Sequence, residues 1–256
     1  MSNNSSIHDF DVNLIVEYYS STERQGCGSP EVTRKALSFV ENLSSTSHIA
    51  DIGCGTGGQT MVLANHFEGR ITGVDLFPLF VDKFNSNAKK LNFQDRVHGI
   101  TGSMDNLPFR DEELDVIWSE GAIYNIGFEK GLAEWCRFLK KNGFIVVSEA
   151  TWYTNERPVE IEAFWMDAYP GIGTMSVKVQ QMENAGYVPV ASFVLPVNCW
   201  TENFYNPQIQ VQKDFLKKHT GNKFAEGFIE NQRHEEMLYR KYNQYYGYAF
   251  YIGKKL

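Results

Sequence analysis

The chain has 256 residues, of which 43% are hydrophobic and 21% are charged, a composition typical of a soluble globular protein with a large core. The formal net charge of -7 argues against a nucleic-acid partner, because nucleic-acid affinity rests on clustered Lys and Arg. The first ten residues, MSNNSSIHDF, lack the pattern of a signal peptide, and no apolar run approaches the roughly 18 residues of a membrane span. These features predict a cytoplasmic protein whose partner is a small molecule.

The metal-binding residue types are dispersed. The four cysteines, Cys27, Cys54, Cys136 and Cys199, form no C-x-x-C pair. The stretch HEEM that begins at His234 lacks the second His of a zinc-binding H-E-x-x-H motif. The sequence therefore predicts no metal site.

Two helices precede a region in which strands and helices alternate. DVNLIVEYYSS has apolar residues at helical spacing, and SPEVTRKALSFVENL begins with Ser29 as a cap and Pro30 at the first helical position. The runs HIADIG, RITGVDL, RVHGIT, LDVIWSE and GFIVVSEA are typical of buried strands, and LFVDKFNSNAKKLNF and GLAEWCRFLKKNG of the helices between them. This alternation predicts a doubly wound α/β fold with a mostly parallel sheet, which binds ligands at the carboxyl ends of its strands.

The C-terminal part contains a long insert between two predicted strands. SVKVQQMENAGY indicates a further helix, PVASFVL a strand and YYGYAFYIGKK a last strand. Residues 196–243 separate the two strands, with predicted helices in PQIQVQKDFLKKH and FAEGFIENQRHEEMLYRKY. An insert of this length exceeds what a connection needs, so it predicts a lid or pocket wall.

The stretch IADIGCGTGGQT has two interpretations. Counted from Gly53 to Gly58 it gives G-x-G-x-x-G, the dinucleotide fingerprint, with Asp75 near the expected ribose-binding position. Counted from Asp51 to Gly57 it gives D-x-G-x-G-x-G. A carboxylate at the end of a buried strand is costly without partners. We therefore expect Asp51 to accept hydrogen bonds from N–H groups of the glycine loop and to meet the amino group of a ligand.

An ordered set of motifs decides between these interpretations. The series DIGCGTGG, then Asp75, GSMDNLPF, LDVIWSEGAIYNI and LKKNGFIVVSE resembles the class I S-adenosylmethionine-dependent methyltransferases, most closely the ubiquinone and menaquinone biosynthesis group. The resemblance implies a Rossmann-like methyltransferase fold, a seven-stranded sheet with its last strand antiparallel and helical lid insertions. It also implies S-adenosylmethionine as cofactor and a small organic methyl acceptor.

The same resemblance divides a single domain, residues 1–256, into parts. Residues 1–45 are expected to form a helical cover, residues 46–150 the cofactor-binding core and residues 196–244 the lid over the acceptor pocket. In the lid and its surroundings, Trp152, Trp200 and Tyr205 are candidates for the pocket wall, although core packing explains each of them as well.

The resemblance also assigns roles to residues of the core. Gly53, Gly55 and Gly57 let the backbone approach the methionine part of the cofactor. Asp75 is expected to accept hydrogen bonds from the ribose hydroxyls, with a helix cap as its alternative role, and Leu76 to pack beside the adenine.

Four further residues follow the third and fourth predicted strands. Ser103 occupies a position where many relatives have an acid that binds the adenine amino group, and Met104 one where a backbone N–H meets the ring. Glu120 and Tyr124 lie in the segment that faces the acceptor, so they are the candidate catalytic residues. Glu120 is interpreted as a general base, or alternatively as a contact to the backbone or to the cofactor.

The segment YYSSTERQGCGSPEVTRKAL resembles a cofactor-covering segment of some of these enzymes. Tyr19, Arg24, Gly28 and Ser29 are its candidate cofactor contacts, although an ordinary pair of helices packed on the sheet would give much the same sequence. Two other functions remain: a module that binds S-adenosylmethionine without methyl transfer, and an NAD-dependent oxidoreductase, which Asp51 and the LPF motif disfavour. A homodimer is compatible with the sequence.

Overall fold

The computed structural model describes residues 12–256, and the predicted helix DVNLIVEYYSS therefore begins one residue outside the described part. Eight strands form one sheet in the order β3-β2-β1-β4-β5-β8-β7, and the short β6 pairs with β5. The strands are β1 (His48–Ile52), β2 (Arg70–Asp75), β3 (Val97–Thr101), β4 (Leu114–Glu120), β5 (Leu139–Trp152), β6 (Gly173–Thr174), β7 (Tyr187–Val194) and β8 (Tyr246–Lys255).

Helices connect these strands. They are α1 (Val12–Ser20), α2 (Pro30–Leu37), α3 (Gly58–His66), α4 (Pro78–Lys90), α5 (Phe128–Trp135), α6 (Val159–Ala168), α7 (Met175–Asn184), α8 (Asn198–Trp200), α9 (Asn206–Lys218) and α10 (Lys223–Tyr242). A π-helical turn, Thr201–Tyr205, joins α8 to α9, and 3-10 turns lie at Ile123–Asn125 and Cys136–Phe138.

The sheet topology confirms the predicted fold class. Strands β1 to β5 are parallel, and β1 lies between β2 and β4. The strands β2 and β3 are therefore added on one side of β1, and β4 and β5 on the other. The C-terminal β8 is antiparallel to both β5 and β7. The crevice between β1 and β4 is the topological switch point, where doubly wound sheets bind ligands.

Both faces of the central strands are buried, as the apolar runs in the sequence predict. In β4 the side chains of Val116 and Trp118 join one core cluster, whereas Ile117 joins the cluster on the opposite face. The same alternation holds in β5 for Ile145 and Val146. The period of two along each strand thus assigns successive residues to the two layers of helices.

Three details differ from the sequence predictions. The predicted helix GLAEWCRFLKKNG ends at Trp135, and Leu139 already pairs with Leu114 in the sheet. Asn142 adopts a left-handed conformation with φ of 64°, and a right-handed helix therefore cannot continue through this residue. The sequence analysis missed α6, whose only buried residues are Ile161 and Trp165, and the two-residue β6.

The N-terminal helix packs on the C-terminal insert rather than on the sheet alone. Tyr18 of α1 lies in a separate apolar cluster with Phe215 of α9 and Phe228 of α10. Its hydroxyl donates to Gln208 Oε1 at 2.7 Å. The two segments predicted as cover and lid therefore contact each other through α1, α9 and α10.

Within residues 12–256, no helix combines the length and the apolar character needed to cross a membrane. The described residues also contain no group of three or more His, Cys, Asp or Glu side chains that could hold a metal ion.

Candidate active site

A cavity of about 480 Å³ lies at the carboxyl ends of β1, β2 and β4, beneath α1. Its volume is in the range of about 300–1,000 Å³ that small-molecule and cofactor sites occupy. Eight residues predicted from the sequence to contact cofactor or acceptor line it together: Tyr19, Gly53, Gly55, Asp75, Leu76, Ser103, Met104 and Tyr124.

The glycine loop after β1 needs its glycines for two physical reasons. Gly53 and Gly55 have φ of 71° and 54°, a left-handed region that other residues adopt at a cost. A Cβ at Gly53 would lie 2.3 Å from the Ala122 Cβ, and one at Gly55 would lie 2.2 Å from Gln25 Oε1. Gly57, with φ of 87°, precedes α3 and does not line the cavity. The loop is therefore in direct contact with the segment after β4 and with the N-terminal cover.

Asp75 ends β2 and binds the glycine loop. Its Oδ2 accepts a hydrogen bond from the Gly55 N–H at 2.8 Å, and its Oδ1 accepts from the Phe77 N–H at 3.1 Å. Burial raises the pKa of this carboxyl more than the hydrogen bonds from backbone N–H groups lower it. Each carboxylate oxygen can accept a further hydrogen bond, so Asp75 can serve the loop and a ligand in the cavity at once.

Asp51 is completely buried, and one prediction about it is wrong. Its Oδ2 accepts from Thr60 Oγ1 at 2.5 Å and from Gln59 Nε2 at 3.1 Å, both side chains of α3, whereas the Gly55 N–H of the loop goes to Asp75. The N–H groups of Gly53 and Cys54 donate instead to the Val74 carbonyl oxygen, so they are not available to Asp51. Asp51 Oδ1 has no hydrogen-bond partner among the described residues. Burial raises the pKa of Asp51 to about 7.

Glu120 ends β4 in a buried network, not at a cavity. One oxygen pairs with the Arg24 guanidinium at 2.8 Å, and the other accepts from Thr33 Oγ1 at 2.8 Å and from Trp118 Nε1 at 3.0 Å. Neither cavity described here is lined by Glu120, whereas the next residue, Gly121, lines both. These contacts do not support a general base, and they indicate a positioning role that fixes the cover to the sheet.

Arg24, Gly28 and Ser29, predicted to touch the cofactor, are engaged within the cover itself. Arg24 forms an ion pair with Glu120, and a Cβ at Gly28 would lie 2.9 Å from the Arg24 guanidinium. Ser29 caps α2 by accepting from the Val32 N–H at 3.4 Å. None of the three lines the large cavity, although Gln25 of the same segment does.

Sequence analysis missed Gln25, which joins the cover to the glycine loop. Its Oε1 accepts from the Thr56 N–H at 2.9 Å, and its Nε2 donates to the carbonyl oxygens of Tyr19 and Thr22, both at 3.1 Å. A lone glutamine in a polar segment carries no sequence signal, so only the contact with the loop identifies it.

A second cavity of about 220 Å³ adjoins the first, and Tyr19, Gln25, Gly121 and Tyr124 line both. Its other walls come from the segment between α1 and α2, from β5, α6 and β8 and from the insert, and half of these residues are aromatic. They include Trp165, Tyr169, Trp200, Phe204 and Tyr248. Of the three aromatic candidates from the sequence, Trp200 lines this cavity, whereas Trp152 and Tyr205 are buried in the core around it.

Glu235 of α10 also lines the second cavity, and sequence analysis missed it. Tyr205 donates a hydrogen bond to its Oε1 at 3.4 Å, and burial raises its pKa to about 7. In the sequence, Glu235 stands within the polar run NQRHEEM, which is typical of an exposed helix face. The packing of α10 over the cavity brings Glu235 to the cavity wall.

Tyr124 remains the predicted catalytic residue that the structure brings to the junction. It follows β4 within the 3-10 turn, lines both cavities and makes an edge contact with the Tyr169 ring at 5.8 Å between centroids. Ser103 accepts from the Asp105 N–H at 3.3 Å, and the Met104 carbonyl accepts from Trp135 Nε1 at 3.0 Å.

Comparison with known proteins agrees with this geometry. Residues 50–147 match the family model described as a methyltransferase domain. Over 122 residues, 46% of this chain, it is 27% identical to an uncharacterized protein of Haemophilus influenzae, and over 109 residues, 41% of this chain, it is 31% identical to sterol 4-C-methyltransferase strm-1 of Caenorhabditis elegans. The chain spans 49% and 31% of the lengths of these two relatives.

A solved structure resembles nearly the whole chain. The S-adenosylmethionine-dependent methyltransferase of Geobacter sulfurreducens, crystallised with S-adenosyl-L-homocysteine, superposes with a TM-score of 0.83 at 17% identity, covering 95% of this chain and 98% of that one. The fold of this chain is therefore the Rossmann-like fold of that methyltransferase. Residues 50–147 therefore match a methyltransferase domain, and the chain shares the fold of a protein that was crystallised with S-adenosyl-L-homocysteine.

Proposed function

We propose that the protein is an S-adenosylmethionine-dependent methyltransferase that acts on a small organic acceptor. The observation that carries this proposal is the pair of adjoining cavities. The larger one contains the glycine loop and Asp75, and the smaller one meets it at Gly121 and Tyr124. A methyl donor in the first cavity and an acceptor in the second would face each other at this junction.

The residues of the larger cavity fit the cofactor part by part. Asp75, with unused acceptor capacity, would bind the ribose hydroxyls, and the half-exposed Leu76 would cover the adenine. Ser103 and Met104 would meet the adenine edge. Because Gly53 has no side chain, the methionine part could lie close to the backbone there.

The ammonium group of the cofactor needs a hydrogen-bond acceptor, and Asp51 has a carboxylate oxygen that could serve. Its Oδ1 is buried without a partner at the base of the glycine loop. Asp51 does not line the cavity itself, so the contact would run through a water molecule or a small shift of the loop.

When bound, the cofactor supplies an electrophilic methyl group on a sulfonium centre. The protein then has to align the acceptor and to exclude water. Tyr124 and Tyr19, which line both cavities, would orient the acceptor at the junction. Gln25 would hold the cover over the cofactor through its hydrogen bond with the glycine loop.

Narrower assignments rest on the sequence alone. They are membership of the ubiquinone and menaquinone biosynthesis group, a cytoplasmic location, the lack of a nucleic-acid partner and a homodimeric state. Each remains a prediction.

The test of the proposal is ligand-dependent stabilisation followed by product detection. S-adenosylmethionine or S-adenosyl-L-homocysteine at about 100 times its dissociation constant should stabilise the protein by roughly 2.7 kcal/mol, and NAD should not. Asp75→Ala should weaken binding by about 1.5–3 kcal/mol, because it removes a charged hydrogen-bond acceptor. Asp82→Ala, on the exposed face of α4, is the matched control. Stabilisation by NAD alone would overturn the proposal.

A module that binds S-adenosylmethionine without methyl transfer is the remaining alternative. It would pass the stabilisation test but give no product. Mass spectrometry of acceptor mixtures incubated with cofactor carrying an isotopically labelled methyl group separates the two functions.

A further inference from the structure

The second cavity contains a carboxylate that has no cationic partner in the described part of the chain. We propose that this cavity binds a small acceptor that carries an amino group, and that Glu235 binds its ammonium form and takes the proton that must leave before methyl transfer. The inference rests on the proposed function and specifies the acceptor class at the same site.

Within residues 12–256, Glu235 forms no ion pair, and the one hydrogen bond that it makes comes from the Tyr205 hydroxyl. Its negative charge raises the pKa of six side chains around it, five tyrosines and one cysteine. They are Tyr19, Cys27, Tyr124, Tyr205, Tyr246 and Tyr248. The residues that line the cavity within the described chain include no Lys, Arg or His.

A second buried carboxylate nearby shows what is missing. Glu149 of β5 is fully buried and has the ammonium of Lys178 at 4.0 Å. Glu235, which is partly buried and lines an aromatic cavity, has no such cation among the described residues. Partial removal of a carboxylate from water has a cost, which a cationic ligand would offset.

The walls of the cavity favour the same kind of ligand. Tyr19, Tyr124, Tyr169, Trp200 and Tyr248 present aromatic rings to a volume of about 220 Å³. Aromatic faces attract ammonium groups, by about 2 kcal/mol or more when both are desolvated. The volume is below the range of about 300–1,000 Å³ for drug-sized ligands, so the acceptor or its reacting part is small. An anionic acceptor would find only Glu235 and neutral groups here.

The reaction balances with Glu235 as the proton acceptor. An ammonium N–H proton passes to the Glu235 carboxylate, which leaves a lone pair on the nitrogen. That lone pair forms the new nitrogen–carbon bond while the methyl–sulfur bond breaks, and the electrons of the broken bond stay on the sulfur. The product is a methylated ammonium and a neutral thioether, and Glu235 returns its proton to solvent when the product leaves.

The experiment compares amines with neutral isosteres on the protein saturated with S-adenosyl-L-homocysteine. Calorimetric titrations would use a series of primary amines and the alcohols of the same carbon skeletons, from propylamine and propanol to phenethylamine and phenethyl alcohol. We expect amines to bind at least about 10-fold more tightly than their alcohols, because a hydrogen bond to a charged group is worth about 1.5–3 kcal/mol. Methyl transfer to the best amine is then measured with labelled S-adenosylmethionine.

Two variants on the same helix test the residue. Glu235→Gln should weaken amine binding by roughly 10- to 100-fold and leave the affinity for S-adenosyl-L-homocysteine unchanged. Glu236→Gln is the matched control, since Glu236 pairs with Arg240 at 2.8 Å outside the cavity. This control should bind amines like the wild type.

The outcomes separate this inference from the proposed function. Failure of S-adenosyl-L-homocysteine to bind would remove the proposed function. If it binds, but alcohols match or exceed the amines, or no amine binds, the amine inference is wrong while the methyltransferase proposal stands. Unchanged amine affinity in Glu235→Gln would likewise exclude Glu235. The wild-type comparison needs no variant, so it holds even if a substitution impairs folding.

Discussion

Replacement of Asp51 by Asn is the most direct probe of the buried carboxylate beneath the glycine loop. Burial raises the pKa of Asp51 from 3.8 to about 7. The folded state therefore binds this proton more tightly than the unfolded chain. The stability that protonation provides is complete below about pH 4 and is lost as the pH rises through about 7.

The magnitude follows from this shift. About three pKa units at 1.36 kcal/mol each correspond to on the order of 4 kcal/mol. Asn cannot ionise, yet its oxygen can still accept from Thr60 and Gln59, and its amide group can occupy the position of the unpartnered Oδ1. We expect the stability advantage of Asp51→Asn to grow by about 1.4 kcal/mol per pH unit between about pH 4 and 7, and then to level off.

Urea denaturation followed by tryptophan fluorescence at several pH values between 4 and 9 measures this difference. Asp95→Asn, at an exposed aspartate, is the control and should run parallel to the wild type. A constant difference between Asp51→Asn and the wild type across this range would refute the buried-carboxyl argument. The same variant should bind S-adenosylmethionine more weakly if Asp51 meets its ammonium, so the apo protein would gain stability at the expense of cofactor affinity.

Three further predictions concern the contacts of the cover and of the glycine loop. Arg24→Met should lower the free energy of unfolding by about 3–5 kcal/mol, because it leaves Glu120 buried without its cation, and adding Glu120→Gln should recover part of this loss in chemical denaturation. Gln25→Leu should raise the dissociation constant of S-adenosyl-L-homocysteine and speed limited proteolysis in the cover, and equal rates with the wild type would contradict its clamping role. Gly53→Ala should cost about 1–2 kcal/mol for its left-handed backbone and a further 1–3 kcal/mol for the clash with Ala122, and unchanged thermal stability would show that the loop can rearrange.

Periodicity and turn chemistry predicted the fold from the sequence. The buried strands of a parallel sheet are continuous apolar runs, so β1, β2 and β4 were visible without any tertiary information. The helix start at Ser29 and Pro30 was visible for the same kind of reason, since capping is a local interaction. The start of β5 was not, because pairing between Leu139 and Leu114 outweighs the helical periodicity of the local sequence.

The larger cavity was predictable to the extent that backbone geometry determines it. A glycine that must adopt positive φ, such as Gly53, and an acid that ends a strand, such as Asp75, stand at fixed positions along the chain relative to their strands. The sheet brings the ends of these strands together whatever else the protein does. Their place in the cavity therefore followed from the sequence pattern.

The tertiary structure alone decided what each charged side chain does. Glu120 follows β4 as an acceptor-facing catalytic acid would, but the packing of the cover against the sheet brings Arg24 to it and satisfies its charge. Glu235 appears in a polar helix as a solvent-exposed residue, yet α10 folds back over the sheet and turns this carboxylate into an aromatic cavity. A charge acquires a function through the partners and the solvent around it. Contacts over about a hundred residues of sequence, such as the pairing of Arg24 with Glu120, leave no periodic trace in the chain.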